Sequence, residues 1–373
     1  MAAVSIVKCD DYMDEDLVRK VEEALSLVVD LKSLIRKGSK VLLKPNILMG
    51  LSPDRAVTTH PRILWAVGVI VKKYGGELWI GDSSGFGSTQ RNAQKTGMYE
   101  VIEQLGAKLI PFNEPVEIAV ENGRLVRHFK IEKAVTIADV IINIPKLKTH
   151  GLTYFTGAAK NLYGCLPGLE KGKGHVKMPS RELFSHMIVD LNTAVIPHIN
   201  IMDAVIGMEG NGPSNGTPRK VGLIMASTNT FALDAVACEI IGLPPQEVPF
   251  LTYASDRDLV ALDDIETRGE NIQDVKIEGF QLIKQTTRKK ELRNKILMLV
   301  KTLLKGFLIE KPVLIVSKCA RCSICGEVCP VKVIQNTDNG PVFNYDKCIH
   351  CYCCQELCPH GAIELKKIIL PWI

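Results

Sequence analysis

Two matching cysteine runs near the carboxyl end constrain this chain more than any other feature of its sequence. The first is Cys319-x2-Cys322-x2-Cys325-x3-Cys329-Pro330, and the second is Cys348-x2-Cys351-x2-Cys354-x3-Cys358-Pro359. Nine of the 12 cysteines lie between positions 319 and 358. Because disulfides are rare in a reducing cytoplasm, this concentration indicates metal binding rather than disulfide bonding.

The spacing within the runs predicts two [4Fe–4S] clusters. Three cysteines at two-residue intervals surround three corners of a cuboidal cluster, and the fourth, before proline, ligates the other cluster. The two predicted ligand sets are Cys319, Cys322, Cys325 with Cys358, and Cys348, Cys351, Cys354 with Cys329. Zinc is the alternative, since paired Cys-x2-Cys units bind it, but zinc does not explain a doubled run with both prolines. Residues 312–366 resemble the bacterial two-cluster ferredoxins over the whole segment.

Two residues inside the second run depart from the bare motif. Cys353 is a ninth cysteine between two predicted ligands, and His350 lies in the ligand loop. Loop filling explains both. The alternative is that N–H or S–H contacts from these residues to the sulfurs adjust the reduction potential of the second cluster.

The rest of the chain has the composition of a soluble globular protein. Its 373 residues suit one large and one smaller domain, and 46% apolar with 23% charged residues is ordinary. No apolar run reaches about 18 residues, and the N-terminus carries acids where a signal peptide would be basic and then apolar. We therefore expect a cytoplasmic protein. A net charge of +5 with no recognisable module argues against nucleic-acid binding.

Apolar runs of strand length alternate with helical patterns in the first 283 residues. The predicted strands are 41–43, 78–80, 140–144, 199–201 and 221–225, and the predicted helices are 15–28, 62–73, 89–104, 181–195 and 230–241. This order predicts an α/β domain with a mostly parallel sheet and helices on both faces. The predicted domains are 1–283, a linker helix over 284–311, and a small ferredoxin-like α+β domain over 312–373. The segment 246–285 is ambiguous and is treated as an appendix to the large domain.

Polar residues follow four of these strands at their carboxyl ends, where open α/β sheets bind ligands. We expect an electropositive cleft there that receives a phosphate or carboxylate. The predicted anion- or substrate-binding residues are Lys44, Asn46, Ser83, Ser84, Lys146, Lys148, Lys160, Asn161 and Asn211. The catalytic candidates are Asp82, His150, Asp203 and Glu209, of which the last two could instead hold a divalent cation.

The lysines of this region divide into two groups. Lys146 and Lys148 directly follow a strand, and strand alternation predicts that they share one side of the chain with His150. Lys171 and Lys173 alternate with glycines, which favours a solvated face. The serine- and glycine-rich loop 81–88 could add backbone N–H donors. However, neither glycine fingerprint for nucleotides is present, which argues against kinase-like or NAD-dependent chemistry.

Several of these motifs together resemble a known family. They are Lys44-Pro45-Asn46, Gly81-Asp82-Ser83-Ser84, Pro145-Lys146-Leu147-Lys148-Thr149-His150, Lys160-Asn161, Met202-Asp203-Ala204 and Gly210-Asn211-Gly212-Pro213. With the cysteine-rich tail, they are similar to the iron–sulfur members of "domain of unknown function 362". The resemblance covers about 38–243 and 312–366. It implies the architecture but no catalytic residues, because the function of that family is unassigned.

The other three cysteines and the linker complete the candidates. Cys165 lies among lysines that would lower its pKa, so a nucleophile or metal ligand is the alternative to an unreactive thiol. Cys9 and Cys238 lie in apolar patterns and are expected in the core. Residues 284–308 form a basic amphipathic pattern, which predicts a helix that docks the cysteine-rich domain or, alternatively, adsorbs to an anionic membrane surface.

The sequence favours an iron–sulfur oxidoreductase that passes low-potential electrons to an anionic small molecule in the cleft. It would need an external electron donor or acceptor protein, because the chain has no nucleotide fingerprint. Two alternatives stay open. One is a maturation or scaffold protein for another metalloenzyme, and the other is a simple ferredoxin-type carrier.

Overall fold

The computed structural model describes residues 1–168, 170–283 and 310–367. The strands are β1 Ala2–Lys8, β2 Lys40–Pro45, β3 Glu77–Gly81, β4 Lys108–Ile110, β5 Pro115–Ala119, β6 His128–Glu132, β7 Val140–Ile144, β8 Lys146–His150, β9 Tyr154–Thr156, β10 Ile199–Glu209, β11 Thr217–Ser227, β12 Ile265–Gly269, β13 Glu310–Leu314, β14 Ile334–Thr337, β15 Gly340–Phe343 and β16 Ile363–Lys367. The helices are α1 Leu17–Ser26, α2 Leu31–Leu34, α3 Pro61–Lys73, α4 Thr89–Lys95, α5 Met98–Gln104, α6 Lys133–Ile137, α7 Ala158–Asn161, α8 Glu170–Lys177, α9 Arg181–Ala194, α10 Thr230–Ile240, α11 Pro249–Ser255, α12 Ile272–Val275, α13 Ile324–Val328 and α14 Cys353–Glu356.

A mixed, mostly parallel sheet forms the centre of the large domain. Within the described residues it has ten strands, eight of them in the order β12-β1-β11-β10-β7-β2-β3-β4. Neighbours from β10 to β4 are parallel, whereas β11 is antiparallel to both β1 and β10. The predicted α/β class is confirmed, and all five predicted strands lie within strands of this sheet.

Helices cover both faces of the sheet, as the strand sequences dictate. Alternate residues of a strand point to opposite faces. In β2, Leu42 belongs to one apolar cluster with the buried residues of α9 and α10, while Val41 and Leu43 belong to the other with those of α1 and α3. The strand reads as a continuous apolar run because both of its faces are buried.

One predicted helix is interrupted. The pattern over 89–104 forms two helices, α4 and α5, because Gly97 lies between them with φ at +72°, outside the helical region. The ambiguous segment 246–285 contains α11, the edge strand β12 and α12. Most of the predicted linker helix falls on 284–309, outside the described residues. Its last two residues, Glu310 and Lys311, begin strand β13 instead.

The segment after β7 extends the sheet beyond its main path. Strand β8 pairs with β10 and with β9. Lys146 is opposite Asp203, but Lys148 is opposite Met208, so a bulge in β10 separates the two pairs. This irregularity decides where the two lysines lie.

The cysteine-rich module consists of two small antiparallel ribbons, β13 with β16 and β14 with β15. The short helices α13 and α14 follow the ligand loops of the first and second cysteine runs. The module packs on the large domain through α14. The Ser214 hydroxyl donates to the Glu356 carbonyl, the Asn215 side chain donates to the Gln355 carbonyl at 3.0 Å, and Gln355 Nε2 donates to Asn211 Oδ1 at 2.8 Å.

Candidate functional site

A cavity of about 650 Å³ lies between the large domain and the cysteine-rich module. Its large-domain wall comes from the loops after β2 and β3, the middle of β8, and helices α7 and α8. Its opposite wall comes from the two cysteine runs. Sequence patterns could locate the first wall, but the second depends on how the module docks. Cavities of about 300–1,000 Å³ are typical of sites for organic ligands.

The loop after β3 is anchored by a buried ion pair. Lys44 Nζ is 2.7 Å from Asp82 Oδ1, and both side chains are almost fully buried. Asp82 Oδ2 also accepts a hydrogen bond from the backbone N–H of Ile47 at 2.7 Å. A Cβ at Gly164 would lie 2.1 Å from Asp82 Oδ1, so only glycine fits there. Asp82 borders the cavity, but Lys44 does not. The pair therefore positions the loop, and Lys44 is not available to a ligand.

Lys148 lies at the large-domain wall, and a chain of asparagine amides holds it there. Its Nζ donates to Asn46 Oδ1 and to the Val57 carbonyl, both at 2.7 Å. Asn46 donates to Asn161 at 3.0 Å, Asn161 to Asn143 at 2.8 Å, and Asn143 to Asn200 at 2.8 Å. Burial, followed by the charges of Lys160 and Lys146, lowers the pKa of Lys148 well below its usual range. A bound anion would favour its charged form.

Lys160 and His175 form the part of this wall nearest the module. Lys160 Nζ is 6.0 Å from the centre of the Phe184 ring, and the His175 ring stacks on the same ring at 4.7 Å. Burial lowers the pKa of Lys160, although the Glu356 carboxylate opposes that shift. Burial also lowers the pKa of His175 to about 4, so this imidazole is neutral at physiological pH.

Lys171 is not on a solvated face, contrary to the expectation from its glycine-rich run. Helix α8 brings its ammonium to the loop after β3, where it donates to the carbonyl oxygens of Ser83 and Ser84. Burial lowers its pKa from 10.5 to about 8. Lys173 does fit the expectation, since its side chain is 56% exposed and pairs with Glu170.

The structure does not bring Lys146 or Asp203 to this cavity. Lys146 Nζ is 2.9 Å from Asp203 Oδ2 and donates to the Tyr12 hydroxyl at 2.7 Å, and both ionic side chains are almost fully buried. Asp203 also accepts from the Tyr12 hydroxyl and the His60 backbone, both at 2.8 Å. The bulge in β10 therefore separates Lys146, which is paired with Asp203, from Lys148, which lines the cavity.

Three further candidates serve the contact between the domains or lie apart from the cavity. Asn211 accepts from Gln355 of the module, and Glu209 accepts from the Gln281 backbone N–H at 3.0 Å. His150 Nε2 is 3.2 Å from Glu356 Oε1, outside hydrogen-bonding geometry. Burial lowers the pKa of His150 to about 4, so we treat it as neutral. Burial acts to raise the pKa of Glu356, but nearby basic groups, among them the Lys160 ammonium, lower it below its usual range, so the carboxylate is charged.

The eight cysteines of the two runs gather into the two predicted sets. Cys319, Cys322, Cys325 and Cys358 line one small cavity, and Cys329, Cys348, Cys351 and Cys354 line another. Each set combines three cysteines of one run with the last cysteine of the other. In the described parts of the chain, no three Cys, His, Asp or Glu side chains are grouped as ligands of a single metal ion. Four thiolates around a cavity provide the donor set of a cuboidal cluster, so these residues fit the group.

The second cysteine set also borders the large cavity. Cys329 lines both its own small cavity and the large one, and Cys353 lines the large cavity as well. Cys353 is buried, and its side chain interacts electrostatically with that of Cys351. Cys353 therefore lies between Cys351, a predicted cluster ligand, and the large cavity.

The remaining cysteines are structural. Cys9, Cys165 and Cys238 are fully buried. Burial raises the pKa of Cys165 to about 12, because desolvation outweighs the Lys44 charge that acts to lower it. A reactive thiolate at Cys165 is therefore not favoured.

Sequence reasoning missed three residues of the cavity: Lys171, His175 and Glu356. Lys171 and His175 depend on the packing of α8, and Glu356 depends on docking of the module. The only sequence signal was the excess of basic residues between 146 and 181. Part of that segment lines the cavity, but the excess of basic residues does not distinguish the lysines that border it from those that do not.

Comparisons with known proteins match both the α/β domain and the cysteine-rich module. The family described as "Domain of unknown function (DUF362)" matches residues 41–239, and the "4Fe-4S binding domain" matches residues 341–364. A thylakoid-associated protein of Synechocystis sp. is 34% identical over 248 residues, which are 66% of this chain and 77% of that protein. Within the residues described, no helix is long and apolar enough to cross a membrane.

Two solved structures are similar at low identity. They are the lactate racemase apoprotein of Thermoanaerobacterium thermosaccharolyticum, at 13% identity and a TM-score of 0.42, and a Thermotoga maritima protein, at 12% and 0.40. The matches cover 64% and 63% of this chain, which spans 56% and 60% of those two chains.

The α/β domain and the cysteine-rich module together define an iron–sulfur electron-transfer protein with a [4Fe–4S]-binding domain at its carboxyl end. The match over residues 41–239 and the Synechocystis relative establish the rest: the chain belongs to the DUF362 family.

Proposed function

We propose that this protein is an oxidoreductase that delivers low-potential electrons, carried on two [4Fe–4S] clusters, to an anionic substrate or cofactor in the cavity between its domains. The observation that carries the proposal is the position of Cys329, which lines both the second cysteine set's cavity and the large one. A ligand in the large cavity would lie next to a cluster ligand, with no further domain between them.

The residues of the large-domain wall support an anionic ligand. Lys148, Lys160 and Lys171 all reach the cavity, whereas the module contributes two acids to its lining, Glu327 and Glu356. Burial lowers the pKa of all three lysines, and an anion would offset that effect by favouring their charged forms. The clusters, when bound, supply single electrons at low potential. The lysines bind and orient the substrate, and docking of the module limits the access of water.

Coupling between the clusters and the cavity provides the test. Protein purified without oxygen would be analysed by mass spectrometry for a retained small molecule, which would then be added back during reoxidation of the dithionite-reduced clusters. We expect the ligand to change the reoxidation rate or the reduction potential, because linked equilibria are reciprocal. Lys160→Gln should weaken this response, and Lys130→Gln, at an exposed position in β6, is the matched control.

Clusters that respond to no ligand shown to bind the cavity would contradict the oxidoreductase and favour the maturation or scaffold role. We also propose a cytoplasmic location with an external protein as electron donor or acceptor. The Synechocystis relative is called thylakoid-associated, so fractionation of cells into membrane and supernatant is the relevant measurement.

A further inference from the structure

Four polar groups at the wall of the large cavity lack hydrogen-bond partners in the described part of the chain. The Ser84 hydroxyl oxygen, His175 Nδ1 and Glu356 Oε1 are buried and make no hydrogen bond. Lys160 Nζ has no hydrogen bond or ion pair within residues 1–168, 170–283 and 310–367, and it lies 6.0 Å from the centre of the Phe184 ring. Buried polar groups are nearly always hydrogen-bonded in folded proteins. Their coincidence at one cavity indicates that a polar ligand group belongs there.

The charge of this region specifies the sign of that group. Lys171 lies beside Ser84, since it donates to the Ser84 carbonyl, and its ammonium interacts electrostatically with that of Lys160. Glu356 partly offsets Lys160. Two ammonium groups and a free hydroxyl donor suit a carboxylate or phosphate, because both accept several charge-assisted hydrogen bonds.

Part of the cavity lining is apolar. Leu48 of the large domain packs in one apolar cluster with Val328 and Leu357 of the module, and all three residues line the cavity. Phe86 and Val176 also line it, and the Val176 side chain is 42% exposed. An inorganic anion would fill only a small part of 650 Å³ and would leave this wall in contact with water.

We propose that the cavity binds an amphipathic organic anion, with its carboxylate or phosphate against Lys160, Lys171 and the Ser84 hydroxyl and its apolar body along Leu48, Val328 and Leu357. This inference rests on the assignment of the cavity as the substrate site and adds the chemical class of the substrate. The module then contributes to recognition, because two of the three wall residues belong to it. A ligand of this class holds the two domains together through its apolar part.

The test is a calorimetric titration of the full-length holoprotein, purified without oxygen, with straight-chain carboxylates from acetate to decanoate. Equal-length alcohols and inorganic phosphate are titrated in parallel. Affinity for the carboxylates should rise about fourfold for each added methylene that is buried, until the chain fills the cavity. The alcohols should bind about tenfold more weakly or worse, since they lack the charge.

Three variants locate the effect. Leu48→Ala and Phe86→Ala should each reduce the gain per methylene without changing the affinity for acetate, whereas Lys160→Gln should weaken every carboxylate by a similar factor. Lys130→Gln should change neither. The two alanine variants are independent, so a folding defect in one leaves the other informative.

The outcomes separate this inference from the proposed function. Equal affinities for phosphate, acetate and decanoate would overturn the amphipathic class and leave the redox role intact. Alcohols that bind as tightly as carboxylates would overturn the anionic head. Decanoate that binds as expected without altering cluster reoxidation would support the class and contradict the oxidoreductase.

Discussion

We predict that Lys171 makes anion binding in the large cavity dependent on pH. Its ammonium is buried against the carbonyl oxygens of Ser83 and Ser84, and desolvation lowers its pKa from 10.5 to about 8. An anion in the cavity favours the protonated form and raises this pKa in the complex. Binding therefore takes up a proton above about pH 8, and affinity falls as the pH rises through the pKa of the free protein.

The size of this effect follows from the pKa. At about pH 7 nearly all molecules carry the proton on Lys171, but at about pH 9.5 only about one in thirty does. If the anion binds only the protonated form, affinity should fall about thirtyfold between these two conditions. The logarithm of the association constant should have a slope of about −1 per pH unit over the upper part of the range.

The assay is calorimetry with a fixed carboxylate at several pH values, in buffers of different ionisation enthalpy so that proton uptake is measured directly. Lys171→Gln should remove most of the slope and cost roughly tenfold in affinity at neutral pH. Lys173→Gln, at the exposed neighbour that pairs with Glu170, should retain the slope. A wild-type affinity that is flat across the range would refute the reasoning. An unchanged slope in Lys171→Gln would assign the proton to Lys148 or Lys160 instead.

Four further outcomes are expected. Protein purified without oxygen should contain about eight iron and eight acid-labile sulfide per chain by chemical analysis, whereas about two zinc ions without sulfide would exclude the clusters. Cys329→Ala should mainly disturb the cluster held by the second cysteine run, measured by electron paramagnetic resonance, and loss confined to the other cluster would show that the pairing is reversed. Lys146→Met should lower the free energy of unfolding by about 3–5 kcal/mol, because it leaves Asp203 buried without its cation, while ligand affinity in the folded fraction changes little. Lys148→Gln should instead change the free energy of unfolding little and lower ligand affinity about tenfold or more. Equal behaviour of the two variants would contradict the separation of the two lysines by the bulge.

The central sheet and the cysteine sets could be predicted because each depends on a local pattern. Residues 41–43 are a continuous apolar run, and only Asn143 interrupts the apolar run over 140–144, since both faces of those strands are buried. The cysteine sets follow from spacing alone, because the geometry of a cuboidal cluster restricts which residues can reach it.

The positions of the individual lysines could not be predicted in the same way. Strand alternation places Lys146 and Lys148 on one side of an ideal strand, but the bulge opposite them changes their partners. Lys44 pairs with Asp82 from a neighbouring strand end, and its sequence context resembles that of a ligand-binding lysine. Lys171 lies between residues typical of a solvated loop, and only the packing of α8 brings it to the Ser83 carbonyl. These outcomes depend on tertiary contacts that a single sequence does not contain.

The asparagine chain behind Lys148 has one direction. Each carboxamide from Asn46 to Asn143 donates its NH2 group to the carbonyl oxygen of the next, and Asn200 ends the series by donating to the Ser227 backbone at 3.2 Å. Rotating one carboxamide by half a turn would bring its NH2 group to face the NH2 group of its neighbour. One member of the series can therefore exchange its oxygen and nitrogen positions only if all the others do so as well. Reversal of the series would also present an NH2 group to the Lys148 ammonium. Asn200, at the far end of this series, is fully buried in β10 and does not line the cavity. Its hydrogen bond to Ser227 therefore fixes which atom of Asn46, the carbonyl oxygen, faces the Lys148 ammonium at the cavity.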